Sequence, residues 1–294
     1  MAALQRAVRR CDLVFGWFAS WHTFWPFLFA RAVRKPGLLV IGGYDVANMP
    51  EIRYGHQRAG LTRVLTRLTI RCATGVTTFS AFSLSEIEKN VGMPGRLVSV
   101  IPLAVSDSFG KVSAAPRQRI ALTIGNVDTP NLKRKGHAAF VEAASQLPDV
   151  KFVLVGEWRD NAIQNLRARA KPNVSFTGSL PRAELENYCR SAAVYVQPSS
   201  HEGFGLAVAE AMLAGCVPIV TRAGSLPEVV GDCGIYLPSQ EPISIAEGIE
   251  EGLSLDGRSR EKARQRILRF FPVRQRREAL QALTERLMVR AAAV

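Results

Sequence analysis

The chain has 294 residues, 47% of them hydrophobic, and a formal net charge of +13. That is enough apolar material for two α/β domains of ordinary size or one large one, and it excludes a disordered or fibrous chain. Five scattered cysteines (Cys11, Cys72, Cys189, Cys216, Cys233) and four unclustered histidines suggest no disulfide framework and no protein-built metal site; reduced, mostly buried thiols are expected. The excess of Lys and Arg points to an anionic partner or to a general bias towards Arg; no nucleic-acid reading motif accompanies it.

Residues 15–29 form a dense aromatic run, with Arg9 and Arg10 before it and Arg31, Arg34 and Lys35 after it. Asp12, His22 and Pro26 interrupt the apolar character, and no small-residue cleavage site follows. A strand over 12–15, a loop and a buried helix over 20–34 explain the run better than a membrane span. An interfacial position, with tryptophans near headgroups, is the membrane alternative. Residues 37–41 (GLLVI) read as a buried parallel strand that runs into Gly42-Gly43-Tyr44-Asp45. A carboxylate just past a strand's C-terminal end lies where open α/β sheets bind ligands, or else it caps its own loop. Residues 47–54 read as a loop, and 58–72 as a helix with Arg63, Arg67 and Arg71 on one face. That face meets acidic lipids or a phosphorylated acceptor, or is simply solvated. A strand over 75–79 follows, then a helix opened by a Ser83/Glu86 capping box and stopped at Gly92, and a strand over 97–102. Residues 110–119, with Pro116, read as the linker.

From residue 120 the alternation is regular. Strands are expected near 120–124, 152–155, 174–176, 194–197, 217–220 and 234–237, with helical patterns between most of them. This predicts an α/β doubly wound parallel sheet with the six strands of a complete dinucleotide-type domain. In the loop after the first of these strands (GNVDTPNLKRKGH), Lys135 precedes a helix over 136–147, so its ammonium can reach a phosphate held at neighbouring helix ends. The stretch QPSSHEGFGLAVAEAMLAGCVPIV, residues 197–220, is the centre of the chain. Gly203 and Gly205 flank Phe204 and let the backbone come close to a ligand, and Leu206 opens a helix that Gly215 stops. The free amides of such a helix start favour a phosphate. Glu202 lies on the loop before it. Glu210 lies about one turn in, roughly 5–8 Å along the axis from the helix start. Gly224 offers a further backbone approach. The tail beyond residue 242 reads as helices, with 275–290 amphipathic on Leu280, Leu283 and Leu287.

Two glutamates with a Gly-Phe-Gly turn between them, in this strand–turn–helix context, resemble the donor-site signature of retaining GT-B glycosyltransferases of family 4, the glycosyl transferases group 1. The resemblance implies a GT-B-like fold of two Rossmann-like domains facing a cleft: an incomplete acceptor-side domain at 1–112, and a nucleotide-sugar domain at 117–294 whose C-terminal helices pack back. It implies transfer of a sugar from a nucleotide-diphosphate sugar to a glycan or lipid-linked acceptor with retained configuration. Glu202 would meet the sugar hydroxyls and Glu210 the ribose, with Gly203, Phe204, Gly205 and Leu206 at the diphosphate. Lys135 would stabilise the leaving group, and Asp45, in a similar Gly-Tyr-Asp segment, would complete the catalytic set. Asn126 takes the place of the family's Arg, leaving Lys133 or Arg134 to supply that charge. Leu180 would touch the base, and Glu228 resembles a family position of unspecified role. Residues 103–106 (LAVS) replace the family's Asn-Gly-Val-Asp. No cofactor and no metal are implied; an anionic membrane surface on the cytoplasmic side is a further expected partner. About four strands before the linker, against about seven in the family, suggest a truncated start. A donor-binding remnant and a sugar-nucleotide epimerase are the alternatives.

Overall fold

The computed structural model describes residues 1–110 and 117–292; most of the expected linker, with Pro116, lies outside the described residues. The chain divides into two compact units, Met1–Ala104 with Val273–Val294, and Val105–Pro272.

The first unit is built on four parallel strands in the order β1-β2-β3-β4, spanning Val14–Trp17, Gly37–Ile41, Gly75–Thr78 and Val98–Val100. Alternation along β2 splits its core. Leu39 and Ile41 pack with Phe27 of α2 (Trp21–Ala32) and Ile70 of α3 (Leu61–Cys72). Leu38 points the other way, onto Leu283 and Leu287 of α13 (Val273–Ala292). The unit also holds α1 (Ala2–Arg10), which the sequence reading did not anticipate, and α4 (Ala81–Glu86).

Three expectations are corrected here. The helix expected to be buried is α2, yet it buries only Thr23, Phe27 and Ala30, while Trp21 is 74% exposed and Trp25 44%. Its composition is apolar all round, so periodicity did not reveal which face meets the sheet. Along α3, Thr66, Thr69 and Ile70 turn inward, and Leu61, Val64 and Leu68 face solvent. Arg67 is drawn in, donating from Nε to Gln57 Oε1 at 3.1 Å and from Nη2 to the Asn90 carbonyl. The three arginines therefore do not form one solvated row. The α4 cap is Ser80, whose Oγ accepts from the Ser83 amide at 3.0 Å, so Ser83 sits inside the helix. A π-helical turn over Ile87–Val91 continues α4 and ends at Gly92, in the left-handed region at φ 79°.

The second unit is a six-stranded parallel sheet, β10-β9-β8-β5-β6-β7. The strands are β5 (Gln118–Ile124), β6 (Lys151–Val155), β7 (Val174–Gly178), β8 (Ala192–Gln197), β9 (Val217–Thr221) and β10 (Ile235–Leu237), within a residue or two of the expected runs. The chain starts at β5, builds outward to β7, then returns to β8 and builds the other way. The order reverses between β5 and β8, and a ligand crevice belongs beyond the C-terminal ends of those two strands. The intervening helices include α5 (Thr129–Arg134), α6 (His137–Ala143), α7 (Ala162–Arg169), α8 (Arg182–Ser191) and α9 (Leu206–Leu213). The loop expected between β5 and α6 thus contains a short helix, capped by Asp128 through the Asn131 amide. Among the described residues no helix is long and apolar enough to cross a membrane.

Candidate functional site

The loops after β5 and β8 bring Lys135 and Glu202 together. Lys135 Nζ donates to Glu202 Oε1 at 2.7 Å, and Arg134 Nη1 lies 3.5 Å from the same oxygen. Ser199 Oγ donates to that oxygen at 3.2 Å. Both partners of the close pair are largely covered, with side chains 16% and 13% exposed. Burial pushes the Glu202 carboxyl up. The charges of Lys135 and Arg134 and the Lys135 hydrogen bond outweigh it and hold the group ionised, at about 2.

Local structure explains this placement. Lys135 closes α5, and Gly136, at φ 68°, turns the chain into α6. The lysine stem crosses the Cα of Gly125 so closely that a Cβ there would lie 2.6 Å from Lys135 Cδ. Only glycine at the end of β5 lets the ammonium reach across to Glu202. On the other side, the Glu202 backbone is clamped: its carbonyl accepts from the amide and the hydroxyl of Ser225, each at 3.0 Å. Gly224, at φ 60°, presses against it; a Cβ there would lie 2.4 Å from that carbonyl oxygen.

Immediately after Glu202 the chain enters α9 through Gly205, at φ 92°, with no side-chain cap. The Phe204 side chain is buried, edge-on to Phe271 at 5.3 Å, so it anchors the turn and presents backbone to the crevice. Leu206 begins the helix and is 43% exposed. The first amides of a helix lack intrahelical acceptors, and α9 opens only four residues after Glu202, the partner of Lys135 and Arg134.

The remaining predicted residues fall in separate places. Glu210 Oε1 accepts from Arg182 Nη1 at 2.7 Å, and Arg182 also binds Glu186. With its amide oxygen facing Arg159, Asn126 accepts from that guanidinium at 2.8 and 3.2 Å. Of the two expected substitutes for the family's Arg, Lys133 is exposed and Arg134 is the one that turns to the site. Leu180 is half-buried just after β7. Asp45 belongs to the first unit and is buried; Oδ2 accepts from the Ala19 and Gly42 amides at 3.0 and 3.3 Å, and Oδ1 has no partner among the described residues. Burial pushes its carboxyl up to about 6, against the pull of those amides.

Arg182, Arg159 and His137 escaped the sequence reading. Arg182 follows the Gly178–Pro181 turn and touches Glu210 only because β8 brings α9 beside α8. Arg159 reaches Asn126 because Val127 bridges Trp158 across two neighbouring loops. His137 is fully buried, with neither ring nitrogen partnered among the described residues. Burial, then the charges of Lys135 and Arg134, push it down to about 3 and keep it neutral. A lone histidine after Lys-Gly gave no periodic signal.

Residues 118–254 match the family described as Glycosyl transferases group 1. The match lies wholly within the second unit. Among curated relatives, the chain is 29% identical over 201 residues to O-antigen chain mannosyltransferase B of Escherichia coli, covering 62% of this chain and 52% of that protein. It is 33% identical over 162 residues to the MMP alpha-(1->4)-mannosyltransferase of Mycolicibacterium hassiacum, covering 53% and 39%. The matched part thus spans about half the length of these relatives or less. Among solved structures, sucrose-phosphate synthase from Thermosynechococcus elongatus superposes with a TM-score of 0.80 at 19% identity, over 98% of this chain and 77% of that one. Anabaena HepE, solved with UDP-glucose, gives 0.78 at 18% identity, over 97% and 81%. These likenesses extend beyond residues 118–254 to the first unit, and the fold is that of GT-B glycosyltransferases.

Proposed function

We propose that the protein transfers a sugar from a nucleotide-diphosphate sugar to a glycan or lipid-linked acceptor with retention of configuration. The observation that carries this reading is the ionised Glu202 carboxylate, held by Lys135 at the β5/β8 reversal, directly before the open start of α9. Glu202 takes the donor sugar's hydroxyls as an acceptor of hydrogen bonds. The diphosphate sits on the amides from Gly203 to Leu206, with Lys135 and Arg134 beside it. Glu210, shared with Arg182, takes the ribose, and backbone near Leu180 takes the base. Asn126 and Arg159 stand where the donor's phosphates enter. As the bond from the anomeric carbon to the diphosphate oxygen breaks, the acceptor oxygen takes its place and the acceptor proton leaves with the diphosphate. Fixed amides and a lysine aimed at that growing negative charge lower the barrier. Asp45, whose carboxyl burial pushes up to about 6, is the proposed acceptor-side member of the catalytic set.

The group 1 match, the structural likeness to a chain solved with UDP-glucose, and the glycan and lipid acceptors in the names of the curated relatives support this reading. The reaction as proposed needs no cofactor beyond the donor and no metal. It takes place on the cytoplasmic side of an anionic membrane surface, a position supported by the solvent-facing Leu61, Val64 and Leu68 of α3 and their arginine neighbours.

A thermal-shift screen against UDP-, GDP- and ADP-sugars tests the donor site, since a ligand of the native state raises the melting temperature. One class should give a shift of several degrees, and Glu202→Gln and Lys135→Ala should each lower transfer at least ~100-fold. NMR of the product's anomeric proton reads the configuration. Wild-type turnover in either variant, or an inverted product, defeats the assignment.

A further inference from the structure

Two cavities of about 270 and 290 Å³ lie beside α13 in the first unit and share Thr74, Leu287 and Arg290. Arg96 and Arg286 line the first, and Arg31, Arg34 and Lys35 line the second. Among the described residues no Asp or Glu lines either one. Arg31 Nη1 donates to the Arg71 carbonyl at 3.0 Å. The side chains of the other five cations make no hydrogen bond or ion pair among the described residues.

Cations near helix C-termini are stabilising, and α2 and α13 both end nearby. That effect accounts for one or two charges, and it falls off within the last turn. Three cations line the first cavity and four the second, with Arg290 in both, which exceeds it. One of them, Arg34, sits at φ 57°, where glycine would be the unstrained choice. An anion in either cavity would face several cations and no carboxylate. The second cavity adds a different demand, because Pro36, Leu287 and Ala291 give it an apolar wall. On the last turns of α13, Met288 and Val289 are 40% and 70% exposed. A free phosphate would answer the charges and leave this wall in water. Each cavity is many times the ~30 Å³ share of one water molecule, so a phosphodiester with its neighbouring carbons fits.

We propose that this double cavity takes the headgroup phosphate of an anionic membrane phospholipid, with the first carbons of its chains along Pro36, Leu287 and Ala291. The inference rests on the membrane placement proposed above and not on the donor site, and its test contains no sugar nucleotide. The full chain is sedimented with vesicles of phosphatidylcholine alone, or with about one-third phosphatidylglycerol. Capture by the anionic vesicles only is expected. Arg286→Gln with Arg290→Gln should weaken it roughly 10- to 30-fold, at the usual contribution of a basic residue near such a surface. Arg274→Gln with Arg277→Gln removes the same charge from the same helix outside the cavities and should cost no more than about 2- to 3-fold. Should the cavity pair alter the melting curve, Arg96→Gln replaces it. Equal losses in both pairs, capture by neutral vesicles, or tighter binding of a nucleic-acid duplex would overturn the proposal. So would binding of inorganic phosphate by a protein that ignores vesicles.

Discussion

Glu202 and Asp45 are both covered by protein, and their surroundings drive them apart. Glu202 has two cations within reach and stays charged, at about 2. Asp45 has only backbone amides, and burial wins, raising it to about 6. Their effects on stability therefore have opposite signs. Glu202 contributes stability that is complete above its unfolded value near 4.5 and disappears as the pH falls towards 2. Asp45 binds its proton more tightly when folded, so its contribution is largest below about 4 and is lost as the pH rises through about 6. A two-unit shift is worth on the order of 3 kcal/mol. Denaturant unfolding of the wild type and Asp45→Asn from pH 4 to pH 7 isolates this effect. The variant should gain on the wild type across that range; parallel curves would show that Asp45 does not titrate there. His137 adds to the acid lability of the second unit, because a buried neutral imidazole must gain a proton on unfolding below about 6.5.

At the scale of elements, the start of α9 depends on contacts from the next loop as much as on its own sequence. Gly224→Ala would put a Cβ against the Glu202 backbone and strain a left-handed residue. A loss of at least ~1 kcal/mol is expected, with a weakened donor-induced thermal shift, because Glu202 must move. A melting curve with and without donor checks both. The strands of this unit were legible because each is a short apolar run bounded by turn residues, and α9 because Gly205 and Gly215 bracket it. Lys135 and Glu202 were legible individually from their motif, but their contact was not, since 67 positions separate them and only the β5/β8 neighbourhood joins them. Elements with weak boundaries were misread: α5 inside a polar loop, the outward tryptophans of α2, and the cap of α4. The serines before α4 and the apolar residues on every side of α2 offered equivalent registers, and tertiary packing chose among them; α5 is a single short turn of mostly polar residues, with no period to read.

For the whole molecule, the decisive fact is that the first unit is discontinuous. Leu283 and Leu287 of α13 close the face of β2 that carries Leu38, and Arg276 Nη1 donates to the Ile101 carbonyl at 2.8 Å. Leu283→Ala, at a site only 6% exposed, should cost about 2–4 kcal/mol. Hydrogen exchange should then quicken in β2 and β3 while β5 and β8 keep their protection; acceleration spread evenly over both sheets would contradict this division. The same discontinuity sets an order of events during synthesis. Ribosomes usually release domains in sequence, the earliest finishing first. Here the four-stranded sheet emerges early and waits roughly ten to thirty seconds, while the intervening unit is translated at ordinary speed, before the helix that covers it appears. Throughout that interval the Leu38 face of the sheet is open to chaperones, which makes slow decoding ahead of residue 273 a hazard for yield rather than for the finished protein.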